Sequence, residues 1–345
     1  MSKDYGYVIL AVYVDDINLV GTTRVCKEVE NLLKDQFEMK LFGKTSFCLG
    51  LQIHHLPDGS ILLHQQSYVK KLLKNFNMGD ANSLSAPMIG RSKTGDDPYR
   101  PSEEEEDEVD KQNYLAAVGA LIYLATHTRP DIAFATSVLA RHSQKPTHRH
   151  WTAVKHLLRY LRGTEDLGLH FTKRANSQVV GYADSGFRTD ETNGKSQTGY
   201  IFLKNGAPIS WKSVKQTITA TSTNHAELIA LHEAAREAVW LRTMVKVISE
   251  QCRLQVEEKA TVIFEDNAAA VAQVATGFIK ADRVKHINPT LFGYMQDLVE
   301  TNQVVVTKIE TVKNISDILT KALPAYRHRE LVRAAGMRTL QELSP

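Results

Sequence analysis

The chain has 345 residues, 43% of them hydrophobic and 23% charged, with a net charge of +3. That is the balance of a globular protein long enough for two or three domains, and no stretch reaches the ~20 apolar residues that span a bilayer. The apolar run Tyr7–Val12 is too short and too soon followed by acids for a signal peptide, and the three cysteines (Cys26, Cys48, Cys252) lack zinc spacing and suit a reducing compartment.

Residues 7–13 and 17–21 read as a β-hairpin with Val14-Asp15-Asp16 at its tip. A metal-binding pair and a plain exposed turn both remain open for these two acids, because Asp tolerates turn geometry. A helix is expected from Thr23 to Phe37, with Val25, Val29, Leu32, Leu33 and Phe37 on one face. Strands over Phe47–His55 and Ser60–His64 flank the turn signal Pro57-Asp58-Gly59, and Gln66–Asn75 returns to helix. Periodicity then disappears: residues 103–110 carry seven acids in eight positions. The stretch 83–112 is therefore expected to be an acidic linker, closing a first region, 1–82.

Within a region 113–175, residues 113–162 read as helical, with Leu115, Val118, Leu121, Ile122 and Leu124 as one apolar stripe, interrupted at Arg129-Pro130-Asp131. A further helix over His148–Leu161 would pack through Trp151, Val154, Leu157, Leu158 and Leu161. Residues 141–174 hold eight Lys or Arg against two acids, with five histidines besides. Such a stretch can line a phosphate backbone or form a solvated helix face. His148, His150 and His156 lack strict ligand geometry.

From 176 to 325 strands and helices alternate. Strands are expected at 178–184, 198–204 and 207–213, the last two joined by the hairpin pair Asn205-Gly206. A helix follows from Thr223 to about Ile248, burying Leu228, Leu231, Ala235, Val239 and Trp240 or their neighbours. Then come strand 260–265, a short helix from Asn267, helix Pro289–Glu300, strand 303–309 and a helix near Asn314. This order describes an α+β or α/β domain, a mixed sheet with helices packed on it. Residues 326–345 are left as a C-terminal tail.

Four acids end or begin these elements: Asp184, Glu227, Asp266 and Asp317. Acids seldom project from core elements unless paired or metal-bound. Each alone has a structural reading: Asp184 as a turn cap, Asp266 as a helix N-cap, Asp317 as a partner of a helix dipole. Converging, they suit Mg²⁺, a hard ion that prefers oxygen ligands. Two such ions about 4 Å apart activate water and stabilise charge in phosphodiester hydrolysis.

The ordered series Tyr13-Val14-Asp15-Asp16, Thr128-Arg129-Pro130-Asp131-Ile132, Trp151 to Thr164, Ser196-Gln197-Thr198-Gly199-Tyr200, Ile209-Ser210-Trp211-Lys212-Ser213, Ala226-Glu227, Glu265-Asp266-Asn267, Val284-Lys285-His286-Ile287 and Asp317-Ile318-Leu319-Thr320-Lys321 resembles copia-type LTR retrotransposon Pol polyproteins. The likeness covers nearly the whole chain: the end of a reverse transcriptase palm, a helical thumb or connecting region, and a ribonuclease H domain with a mixed five-stranded sheet. It implies that Asp184, Glu227, Asp266 and Asp317 are the catalytic, metal-binding carboxylates, loaded with two Mg²⁺ or with Mn²⁺, and that Asp15 and Asp16 are polymerase metal acids. It implies cleavage of the RNA strand of an RNA–DNA hybrid, whose 2′-hydroxyls distinguish the strands. The candidate contacts are Arg141, Lys145, Arg149, Lys155, Arg159, Arg162, Lys285 and His286. A catalytically inactive, nucleic-acid-binding derivative is the alternative.

The family's polymerase needs fingers and an earlier palm strand with another metal-binding Asp, and only twelve residues precede Tyr13. Independent DNA synthesis is not expected without a partner chain that supplies those segments. No membrane partner is expected, and the resemblance implies a cytoplasmic or nuclear location. Asn224-His225-Ala226-Glu227-Leu228 departs from the family's usual pattern of threonine or serine, glutamate, alanine, glutamate, tyrosine. Asn288 stands where an aspartate is usual.

Overall fold

The computed structural model describes residues 6–90, 97–103, 106–173, 178–254, 259–276 and 289–343. Strands β1 (Val8–Tyr13) and β2 (Asp16–Gly21) form a two-stranded antiparallel sheet that pairs with neither of the two larger sheets. Its tight turn holds Val14 at φ 52°, where a β-branched residue is strained. Helix α1 (Thr23–Gln36) follows and buries none of its side chains. Ile9, Leu10, Val12 and Tyr13 are exposed on the hairpin, and Leu32 and Phe37 on or just after the helix. Of the expected apolar stripe of this helix, Val25, Val29 and Leu33 are only partly covered and none of its residues is fully buried.

Strands β3 (Phe47–Cys48), β4 (Leu51–His55) and β5 (Ile61–His64) precede helix α2 (Gln66–Asn75). Residues 83–90, at the start of the expected linker, lie along the helical region. Met88 and, further on, Tyr99 are buried in the main core, and His156 bonds the Ala86 carbonyl at 3.0 Å. Asp110 caps helix α3 (Lys111–His127) by accepting from the Gln112 amide at 3.0 Å. A 3-10 turn (Pro130–Ile132) leads into α4 (Ala133–Ala140), and α5 (His148–Arg162) opens with a reciprocal cap between Thr147 and His150. Leu121, Leu124, Leu139, Leu157 and Leu161 are completely buried between these helices, whereas Leu115 and Ile122 of the expected stripe are exposed.

Behind them lies a strand that the sequence reading missed, β6 (Gly168–Phe171), which pairs antiparallel with β5. Next come β7 (Val180–Gly186), β8 (Gln197–Lys204), β9 (Ala207–Lys215), the long helix α6 (Thr223–Gln251), β10 (Thr261–Glu265), α7 (Ala268–Thr276), α8 (Pro289–Glu300) and β11 (Val304–Lys308). Asn205 and Gly206, at φ 53° and 79°, turn β8 into β9 as expected. The sheet order is β11-β10-β7-β8-β9, with β10 parallel to both neighbours and the remaining pairs antiparallel. This mixed five-stranded sheet with flanking helices is a ribonuclease H-like α+β fold. Successive residues of β8 face opposite cores: Tyr200 and Phe202 meet α6, and Ile201 meets the α3–α5 side.

The expected helix near Asn314 is a 3-10 turn, Ile315–Leu319. Residues after 325, expected as a tail, form helix α9 (Ala325–Ala334), strand β12 (Met337–Arg338) and the short α10 (Leu340–Leu343). β12 pairs with β6 and so completes a second five-stranded sheet, β12-β6-β5-β4-β3. Leu331, Val332 and Met337 join the same core as α3–α5.

Polar contacts fasten the ribonuclease H-like sheet to the helices. Trp211 Nε1 donates to the Ala125 carbonyl at 2.7 Å. Arg141 donates to Gln197 Oε1 at 2.6 Å, and Gln197 donates in turn to Ser137 Oγ at 3.1 Å. On the packing face of α6 the buried place falls to Leu241 while its neighbour Trp240 is 55% exposed, and no residue beyond Leu241 on that helix is buried.

Candidate active site

Asp184 lies in the central strand β7, opposite Gly199 of β8, and is 1% exposed. Glu227 sits in the first turns of α6, and Asp266 follows directly on β10. Asp317 rides on the 3-10 turn, whose approach to the sheet depends on Gly199. A Cβ there would lie 2.6 Å from Thr320 Cγ2 and 2.8 Å from Leu319 Cβ. Asn314 fixes the same turn by donating to the Ala183 carbonyl at 2.9 Å and accepting from the Ser316 amide and hydroxyl. Thr320 Oγ1 donates to Asp184 Oδ2.

Lys321 stands between two of the acids. Its ammonium is 2.5 Å from Asp317 Oδ1 and 3.1 Å from Asp184 Oδ1. Burial pushes the Asp184 carboxyl up to about 7, with Lys321 opposing the rise and Asp317 adding to it. Burial and then the neighbouring Asp184 charge raise Glu227 to about 9. Asp317 is also raised by burial, against the pull of Lys321. Asp266 carries a charge that acts on Asp184, Glu227 and Asp317 alike, so the four acids occupy one electrostatic neighbourhood.

Glu265 is a fifth acid, missed by the sequence reading. Strand alternation sends it with Thr261 and Ile263 to the buried side of β10, where it is 0% exposed, and after burial itself the Glu227 charge does most to raise it. Its Oε1 accepts from the Asn267 amide at 2.9 Å. Its Oε2 and Glu227 Oε2 are buried without a hydrogen-bond partner among the described residues. Buried orphan oxygens are costly, and as hard donors they fit a divalent cation. Against that fit, no group of three His, Cys, Asp or Glu side chains among the described residues is arranged to hold a metal ion. The donor chemistry suits a cation, and Lys321 lies where positive charge is wanted.

The other candidates are dispersed. Asp15 and Asp16 are exposed on the hairpin. Arg149 pairs with Glu106 and Glu103, Arg141 reaches Asp190 at 4.0 Å, and Lys145 reaches Glu108 at 3.9 Å. Arg159 donates to the Asn82 carbonyl at 2.7 Å, and Arg162 donates to the Gly79 carbonyl at 2.6 Å and to Glu165. These arginines clamp the acidic stretch and the 79–84 segment onto α5. Lys155 is exposed and without a partner among the described residues. Lys285, His286 and Asn288 lie outside the described residues. At the departure from the family pattern, Asn224 donates to Gln273 and joins α6 to α7, and His225 turns Nδ1 to Thr221. Thr320 and Lys321 stood in a recognised motif, but only the fold revealed their contacts.

Fold, ordered motifs and converging acids define a retrotransposon-derived protein with a ribonuclease H-like domain. The chain is related to the copia-type LTR retrotransposon Pol polyproteins. A reverse transcriptase (RNA-dependent DNA polymerase) family profile matches residues 2–90. The chain is similar to the retrovirus-related Pol polyprotein from transposon TNT 1-94 of Nicotiana tabacum, 33% identical over 97% of this chain and 25% of that protein. It is also similar to the Pol polyprotein from transposon RE2 of Arabidopsis thaliana, 29% identical over 98% of this chain and 22% of that protein. It thus spans about a quarter of the length of these relatives. Among solved structures, LC11-RNase H1 in complex with RNA/DNA hybrid aligns with TM-score 0.30 and 18% identity, covering 41% of this chain and 94% of that one. No helix among the described residues is long and apolar enough to cross a membrane.

Proposed function

We propose that the chain is the ribonuclease H-like, RNA–DNA hybrid-binding portion of a retrotransposon Pol protein, and that the arrangement described above binds without cutting. The observation that carries this reading is the Lys321 ammonium bonded to both Asp184 and Asp317, in a chain where no group of three His, Cys, Asp or Glu among the described residues is arranged to hold a metal ion. Relationship to the copia-type Pol polyproteins supplies the substrate class. The exposed apolar side chains of the β1–β2 hairpin and α1 would suit further polypeptide packed against them.

Metal-dependent cleavage of the RNA strand is the second reading, favoured by the orphaned oxygen of Glu227 beside the other acids. Asp184, Glu227, Asp266 and Asp317 would hold Mg²⁺ or Mn²⁺, which would supply Lewis acidity and an activated water. The chain's own residues do the positioning: Thr320 orients Asp184, and Asn314 ties the turn bearing Asp317 to β7. The test is a labelled hybrid incubated with the full chain and Mg²⁺ or Mn²⁺, read for both retardation and cleavage, beside Asp266→Asn. Retention without cleavage supports the first reading. Cutting of the RNA strand alone, abolished by the substitution, establishes the second, and neither signal refutes both.

A further inference from the structure

Lys321 is four residues beyond Asp317, and its side chain is 37% exposed while the two acids that it bridges are almost fully buried. A lysine placed so is anchored by charge at its tip and open to solvent along its length. The buried carboxylates need a counter-charge, since bringing several anions together out of water is unfavourable. The ammonium supplies it from within the chain. Unlike an arginine, which is held in a rigid fork, lysine is a flexible point charge that can leave by rotating its four-carbon stem. Behind it, the buried and unpartnered Glu227 Oε2 and Glu265 Oε2 remain unsatisfied by this counter-charge.

We propose that Lys321 is a built-in counter-ion that competes with divalent cations for the Asp184–Asp317 pair, so that its withdrawal is the step that opens the carboxylate cluster. This rests on the carboxylates being able to take a cation, and it makes the two functional readings two states of one site. With the lysine in place the cluster is closed. With the lysine displaced into solvent, Asp184 and Asp317 each recover a free oxygen, and the orphaned oxygen of Glu227 gains company. Lys321 is in these terms a positioning residue. Its removal should strengthen cation binding while weakening the metal-free fold, a combination that a purely structural lysine would not produce.

The test uses the full chain stripped with chelator and titrated with Mn²⁺ alone, free Mn²⁺ being read by electron paramagnetic resonance. Lys321→Met should bind Mn²⁺ about 5–150-fold more tightly than wild type, the range typical of coupling between two ligands of one protein. Lys321→Arg, which keeps the charge, should not tighten binding. Asp184→Asn should abolish the site in either background. In the absence of metal, Lys321→Met should melt below wild type and recover as Mn²⁺ is added. Should it be unfolded without metal, refolding at Mn²⁺ concentrations that leave wild type unoccupied is the expected result. Equal or weaker Mn²⁺ binding by folded Lys321→Met, or no refolding, overturns the proposal, as does the absence of an Asp184-dependent site in every variant. Hybrid retardation measured on the same samples is independent of these results. Its loss would refute the binding reading and leave the counter-ion result standing.

Discussion

Asp131→Asn tests how the helical region is held together. Arg129 and Asp131 form a two-pronged ion pair at 2.9 and 2.8 Å, with side chains 1% and 0% exposed. Burial alone pushes the Asp131 carboxyl up, yet the adjoining guanidinium more than offsets this and holds it below the usual range. Tyr160 donates to the same carboxylate at 2.8 Å, and the guanidinium also bonds the Thr164 carbonyl and hydroxyl. The His328 ring bonds the Asp131 carbonyl at 3.0 Å, which draws α9 into the network. Neutralising Asp131 leaves a buried guanidinium uncompensated, a loss of about 3–5 kcal/mol. An unfolding entropy of ~2.1 cal/mol/K per residue, taken over the 345 residues, converts this to a fall in Tm of roughly 4–7 °C. Thermal unfolding followed by circular dichroism measures it, with Arg24→Ala at the exposed Arg24–Glu28 pair as control. Replacing both partners, Arg129→Met with Asp131→Leu, should recover at least half of the loss because no buried charge is then stranded. A shift as small as the surface control's, or a double variant worse than the single one, would refute the argument.

Gly199→Ala should displace the turn bearing Asp317, since its methyl would meet Thr320 and Leu319 well inside contact distance. We expect a loss of about 1–3 kcal/mol in urea unfolding, together with loss of Asp184-dependent Mn²⁺ binding. Asp110→Ala removes the cap of α3 and should cost ~1 kcal/mol by the same unfolding measurement. Burial holds the His328 ring below its ordinary value, so the folded state resists a proton that the unfolded chain accepts near pH 6.5. Its contribution is therefore complete above about pH 6.5 and is lost as pH falls toward the depressed folded value. Wild type should lose more stability between pH 7 and 5 than His328→Gln does. Parallel profiles would contradict this.

Much of the ribonuclease H-like sheet was legible because its strands announce themselves. Asn205-Gly206 can make a tight hairpin turn, and 178–184 and 260–265 are apolar runs ending in acids. β6 and β12 escaped because four and two residues carry too little alternation to separate them from loop, and β12 exists only through its partner. The choice between Trp240 and Leu241 stayed open because a helical stripe says which residues share a face, and not how far the sheet beneath extends. The four candidate acids were singled out from their positions at element ends. Lys321 was not assigned a role, because spacing of four from Asp317 describes any helical ion pair, and only the packing of the turn on Gly199 brings Asp184 within its reach. The basic residues of α5 were readable as a charge pattern. Their use in clamping residues 79–84 and the acidic stretch depends on long-range contacts that composition does not encode.

The pairing of Met337–Arg338 with Gly168–Leu169 sets a schedule for biosynthesis. A sheet whose first strand is made at residue 47 cannot be finished until residue 338 has left the ribosome. Until then β6 presents one edge of unpaired backbone, a template for wrong partners. A nascent chain stalled or cut shortly before that strand would lack the closing strand while keeping every acid of the candidate site. Loss of a few residues remote from those acids would therefore register first as aggregation during synthesis, before any change at the acids themselves could be measured.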